Sequence, residues 1–174
     1  MIKNILLTVA FILGVGVFYL FTQSQNVHEI RSEIMINAPK DKVWAAITDI
    51  EGWADKSSAI NASSLTFVGA LAEGSELSIT MRSDVVGEGG PTYAPIIIKF
   101  EDQVAYRWRA VMGIGIIFTN DKQFELTEVD GGVRLVHSEY FNGMMLPLMK
   151  GFLDQGVSSI LDEMNQGFKT EAEQ

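Results

Sequence analysis

Hydrophobic and polar positions change their period along the chain, and each change predicts a different element. From Ile5 to Phe21 the run ILLTVAFILGVGVFYLF is free of charge and apolar all round. A buried core helix would keep a polar stripe, so this pattern predicts a membrane-crossing helix. At about 1.5 Å per residue the run covers roughly 25 Å, a little short of a ~30 Å hydrocarbon layer unless flanking residues join it. From Ile30 the period drops to two: Ile30, Ser32, Ile34 and Ile36 point one way, Arg31, Glu33 and Met35 the other, which predicts a strand. Pro39 then sets a first helical turn, and Val43, Ile47 and Ile50 follow at helical spacing, so a helix of about three turns is expected to end near Gly52. Trp44 and Trp53 bracket its second half, placed to seal core against loop.

Alternation returns around Leu65 and Phe67, then at Leu77, Ile79 and Met81, at Ile96, Ile98 and Phe100, and at Val104, Tyr106, Trp108 and Ala110. Phe124 and Leu126 begin a further strand, separated by the turn Asp130-Gly131-Gly132 from a last one, Val133 to Phe141. Glu101-Asp102 reads as another tight turn. The tail from Leu146 to about Lys169 has Leu146, Met149, Phe152/Leu153, Val157, Ile160/Leu161, Met164 and Phe168 every three or four residues, a long amphipathic helix. Pro147 fits its first turn. Gly151 and Gly156 weaken it by about 1 kcal/mol each relative to alanine, or admit a close neighbour.

Strand, helix, six strands and a long helix, joined by hairpins without βαβ units, define an α+β domain. The expected architecture is a curved antiparallel sheet of about seven strands covered by the long C-terminal helix, plus one N-terminal transmembrane helix. A cavity is expected wherever the curvature exceeds what the helix fills. The expected boundaries are 1–22 for the anchor, 23–28 for a polar linker and 29–174 for the domain. Gly87-Glu88-Gly89-Gly90-Pro91 lacks the lysine and strand–helix context of a phosphate loop, and Gly113-Ile114-Gly115 reads as a bend. Asn61-Ala62-Ser63 matches a glycosylation acceptor, a pattern short enough to recur by chance.

Composition narrows the function. The chain has 174 residues and no cysteine, which excludes disulfides, a thiol nucleophile, iron–sulfur clusters and thiolate zinc. Its two histidines, His28 and His137, form no compact metal motif, and no nucleophile elbow is present. No metal or cofactor is expected. Apart from Lys3, 12 Lys and Arg stand against 22 Asp and Glu, and a domain this acidic repels nucleic acid. Lys3 before the apolar run, with Arg31 the next formal positive charge, places the N-terminus in the cytoplasm and the domain on the extracytoplasmic side of a single-pass protein. A cleaved signal is the competing reading, but bulky Phe18-Tyr19-Leu20-Phe21 stands where small residues would prepare cleavage.

Ile36-Asn37-Ala38-Pro39, Val43-Trp44, Asp49, Trp53, Arg107-Trp108, Phe124-Glu125-Leu126 and the run Arg134 to Gly143 together resemble the START-like, helix-grip superfamily known as SRPBCC, in its polyketide cyclase/dehydrase and lipid-transport branch. The resemblance covers about Glu29 to Glu173. It implies a sheet gripping the C-terminal helix around a pocket for a hydrophobic or amphipathic small molecule, lipid included. Tyr106, Trp108, His137, Glu139, Phe141 and Phe152 are the expected lining residues. His137 and Glu139 share a strand face with three apolar residues, so they either orient a ligand's polar end, act as a base held by its orienter, or are satisfied across the sheet with Arg107 or Arg109 as partners. Met144, Met145 and Met149 either fill the end of the core or form a patch adaptable to varied ligands. Binding is placed ahead of two alternatives, a cyclase/dehydrase-type enzyme using His137 and Glu139, and a noncatalytic interaction module.

Overall fold

The computed structural model describes residues 2–57, 66–67, 71–80 and 92–174. The 87–91 loop, Asn61-Ala62-Ser63, Leu65 and Met81 lie outside the described residues. Helix α1 (Ile2–Gln23) is 22 residues long, about 33 Å, with none of them buried. Its two threonine hydroxyls are satisfied within the helix: Thr8 Oγ1 donates to the Asn4 carbonyl and Thr22 Oγ1 to that of Tyr19. By length and composition it can cross a membrane.

Strand β1 (His28–Ile36) opens the domain, followed by α2 (Lys40–Thr48) and the single turn α3 (Trp53–Lys56). The strands β2 (Thr66–Phe67), β3 (Leu77–Thr80), β4 (Thr92–Tyr93), β5 (Ile96–Glu101), β6 (Ala105–Met112), β7 (Phe118–Val129) and β8 (Gly132–Asn142) come next, and α4 (Leu146–Ala172) closes the chain. The main antiparallel sheet has the order β1-β8-β7-β6-β5, and a small sheet has the order β2-β3-β4. A bridge from Glu76 to Ile96 and backbone bonds from Gly74 and Leu77 to the start of β5 join them. This is the expected helix-grip α+β fold.

Three expectations change in detail. The first domain helix ends at Thr48, not near Gly52, because Thr48 Oγ1 turns back onto the Trp44 carbonyl and the chain leaves the helical region at Asp49. Gly52 starts α3 instead, at an ordinary negative φ; a Cβ there would strike the Asp49 carboxylate. Strand β7 starts at Phe118, six residues before Phe124, because Thr119 to Gln123 pair with both neighbours although both faces carry polar side chains. Thr92–Tyr93 adds a short strand, making eight among the described residues.

Both hairpin turns form where the pattern puts them, with Gly132 in β8 rather than in the turn. Val129 pairs with Gly132 across Asp130-Gly131, with Gly131 at φ 88°, and Val104 N donates to the Glu101 carbonyl across the β5–β6 turn. Period two then sorts the inner face: Ile30, Ser32, Ile34 and Ile36 from β1, Tyr106, Trp108 and Ala110 from β6, Phe118, Asn120, Lys122, Phe124 and Leu126 from β7, and Val133, Leu135, His137, Glu139 and Phe141 from β8. Helix α4 lies over this face. Its Leu153, Leu161, Met164 and Phe168 are buried, and Pro147 occupies its first turn.

Candidate functional site

The inner face carries a filled half and an open half. In the filled half, Phe124 stacks on Tyr106 (4.8 Å between centroids) and on His137 (4.2 Å), while Trp53 packs against Trp108, Phe124 and Phe168. Tyr106 OH donates to the Ile47 carbonyl at 2.7 Å, and Trp53 Nε1 donates to the same oxygen at 3.2 Å. Two buried donors thus satisfy a carbonyl in the last turn of α2, where no intrahelical partner remains. Trp44, also buried, meets Tyr106 edge-on.

The open half is a recess of about 160 Å³ lined by Tyr93, Ala110, Met112, Phe118, Asn120, Phe141, Met149 and Leu153. It lies between the start of α4 and the ends of β6, β7 and β8 nearest that helix. A larger groove of about 660 Å³ runs outside, between α3 and the end of α4, but it is an open charged surface whose Lys56 ammonium is held by Asp49 and Glu171. It is not an internal site.

Polar groups stand between the two halves. The Lys122 ammonium meets Glu139 Oε1 at 2.8 Å with both side chains buried, and Asn120 Nδ2 donates to Glu139 Oε2 at 2.9 Å. Glu139 therefore does not hold His137. The imidazole belongs to a second chain of bonds: Ser32 Oγ donates to the Asp162 carboxylate, Asn165 Nδ2 donates to Ser32 Oγ at 3.0 Å, and Asn165 Oδ1 faces His137 Nδ1 at 3.0 Å. A carboxylate accepts only, so each later member is fixed in turn, and Nδ1 carries the imidazole hydrogen. Nε2 is left as a bare acceptor, buried and without a partner among the described residues; Trp108 Nε1–H is a donor in the same condition. Burial first, and the Lys122 ammonium second, hold His137 well below its ordinary pKa; the Asn165 bond opposes them only in part, so the ring is neutral at pH 7. Desolvation, reinforced by the Glu139 charge, pushes the Tyr93 phenol up.

Of the six expected lining residues, Phe141 lies directly on the recess. Trp108 adjoins it through Tyr93, at 6.1 Å between ring centroids, and Glu139 adjoins it through Asn120. Tyr106 and His137 sit in the filled aromatic half. Phe152 faces away from the sheet and is 69% exposed; one helical step puts Leu153 on the recess in its place. Of the methionines, Met149 lines the recess while Met145 is exposed. The arginines expected as possible partners for the inner pair are on the opposite sheet face, where Arg107 and Arg109 both clamp the buried Asp121 carboxylate. Lys122, Asn120 and Asn165 are the residues sequence reasoning missed. Counting back from Phe124 in twos would have found the first two.

Residues 27–173 match the family described as polyketide cyclase / dehydrase and lipid transport, and the chain belongs to that family. No curated protein matches it. Solved structures of the same fold include the Zhui aromatase/cyclase from Streptomyces (15% identity, TM-score 0.66, covering 85% of this chain and 94% of that one). Norcoclaurine synthase from Thalictrum flavum, in complex with dopamine and hydroxybenzaldehyde, is similar at 13% identity and TM-score 0.64, covering 83% of this chain and 86% of the synthase. The di-domain aromatase/cyclase StfQ of the steffimycin biosynthetic pathway is 10% identical at TM-score 0.70; the match covers 87% of this chain and about half, 53%, of StfQ.

Proposed function

We propose that this protein is a membrane-anchored binding domain for a hydrophobic or amphipathic small molecule, with α1 as anchor and the domain on the extracytoplasmic side. The supporting observation is the recess between sheet and α4, apolar except for Asn120 and the Tyr93 hydroxyl. At about 160 Å³ it takes a ring or a short alkyl segment, below the ~300 Å³ usual for an enclosed drug-sized ligand, so the guest buries one end there and leaves the other outside. The test is lipid extraction and mass spectrometry of the purified full chain beside an Ala110→Phe variant, which fills the recess. Copurifying apolar molecules are expected with the first and lost with the second. Empty spectra from both folded proteins would overturn the reading.

The neutral imidazole supports a second reading, a cyclase-type enzyme. A buried base with its tautomer fixed and its Nε2 lone pair free is equipped to accept a hydrogen from a substrate hydroxyl. Nitrogen NMR of His137 with added phenol is the check: a shift of the Nε2 resonance supports access to the ring. An unmoved resonance at saturating phenol leaves His137 a core residue.

A further inference from the structure

One end of the domain is apolar on its outside. The β6–β7 connection and the start of α4 are tied together there by Met144 N to the Ile116 carbonyl (2.9 Å) and Met145 N to that of Ile117 (3.1 Å). Ile114 is 64% exposed, Leu148 68% and Phe152 69%, and Val111, Met112, Ile116, Ile117 and Met145 are exposed around them. Isolated surface hydrophobics need no explanation, but a contiguous group on two linked segments marks an interaction site.

Charge agrees. The chain carries 22 acidic residues, yet Ala110 to Asn120 and Asn142 to Leu153 contain none, and Lys150 is their only charged residue. Of the carboxylates bounding these segments, Asp121 is buried and neutralised by two arginines, and Asp154 is bonded to His28 Nε2 at 2.6 Å. This end is therefore spared the repulsion an acidic surface meets at anionic lipid.

The tether leads to the same place. Only residues 24–27 separate the end of α1 from β1, at most about 14 Å of extended chain, and exposed Val27 adds to the apolar surface. His28 pairs with Phe141, which pairs with Asn120 beside the tip, and α1 itself touches α4. The recess is built from the same two segments through Met112, Phe118, Met149 and Leu153.

We infer that the Val111–Ile117 connection and the first two turns of α4 insert into the lipid interface of the bilayer holding α1, so that the recess opens toward the acyl chains. This rests on reading α1 as a membrane span. Trp or Phe and aliphatic residues buried at the headgroup boundary beside a lone cation are the usual chemistry of such contacts. A guest would then pass between bilayer and recess without crossing water.

The absence of cysteine makes the test direct. Single Ile114→Cys, Asp130→Cys and Gly14→Cys variants of the full chain, labelled with bimane, are reconstituted into phosphatidylcholine vesicles with and without brominated acyl chains. Asp130 marks the far end of β7, roughly 40 Å from the tip. Bromolipid is expected to lower emission about twofold at positions 114 and 14 and to leave position 130 unchanged. Quenching at 14 without quenching at 114 overturns the docking and spares the anchor. Absence of quenching at both overturns the docking and the anchor together, whereas quenching at 114 alone puts the tip in lipid but removes the α1 span on which the proposal rests, and overturns it as stated. Equal quenching at 114 and 130 overturns the defined orientation.

Discussion

Lys122 and Glu139 show how much a single residue can decide inside this grip. Each stands on a central strand with its charge out of water, compensated chiefly by the other at 2.8 Å and, for Glu139, by the Asn120 amide as well. Lys122→Met should destabilise the domain by about 3–5 kcal/mol, because it strands a buried carboxylate, while Lys122→Met with Glu139→Gln should recover most of the loss. Urea midpoints of the two variants check this. His137 adds a pH dependence of known sign. Its folded pKa lies below the unfolded value of about 6.5, so the unfolded chain binds a proton first as pH falls. Stability is complete above about pH 6.5 and declines below it, by up to about 1.4 kcal/mol per pH unit, until the folded ring also titrates. The urea midpoint should therefore fall less between about pH 7.5 and 5.5 in His137→Gln than in the wild type.

At the scale of elements, α4 is where amphipathic pattern and contact geometry part company. Gly151 and Gly156 have open space at their Cβ positions, so the close approach that would explain them is absent. Gly167 is where it occurs: a Cβ there would lie 2.7 Å from Lys56 Cβ, since α3 crosses α4 at that point. Gly151→Ala and Gly156→Ala should each raise stability by about 0.5–1 kcal/mol through helix propensity. Gly167→Ala should lower it despite the same propensity gain, and thermal melts of the three variants compare the signs. The strands show a related division. Pattern placed β1 and β8 well because three of four alternate positions in the first and three of five in the second are apolar, but it began β7 late because Asn120 and Lys122 look like solvent-facing residues until the partners across the sheet are known.

For the molecule as a whole, the proposed orientation rests on the distribution of positive charge. Lys3 lies in the first turn of α1 and the next formal positive charge is Arg31, and under the positive-inside bias this is the ground for proposing a cytoplasmic N-terminus. Alkaline phosphatase fused after Gln174 should be active in a bacterial host, and a cytoplasmic β-galactosidase fusion at the same point inactive; the opposite pair of results would reverse the orientation. The recess lies at the α1 end of the domain and the turn at Asp130 at the other, so the chain is polarised along its length.

The sequence by itself determined the α+β class, the order of the longer elements and the inward set on β8, because backbone period and side-chain polarity are local properties that reach the same answer in any packing. It also marked α1, whose length and uninterrupted apolarity need no tertiary partner to be recognised. Only the tertiary structure decided which inward residues fill the core and which border open space. Tyr106 and Phe141 are equally inward by period, yet one spends its hydroxyl on the end of α2 and the other lines the recess. That difference depends on where α2, α3 and α4 sit above the sheet, a matter of which distant side chains compete for the same volume, and no local pattern contains it.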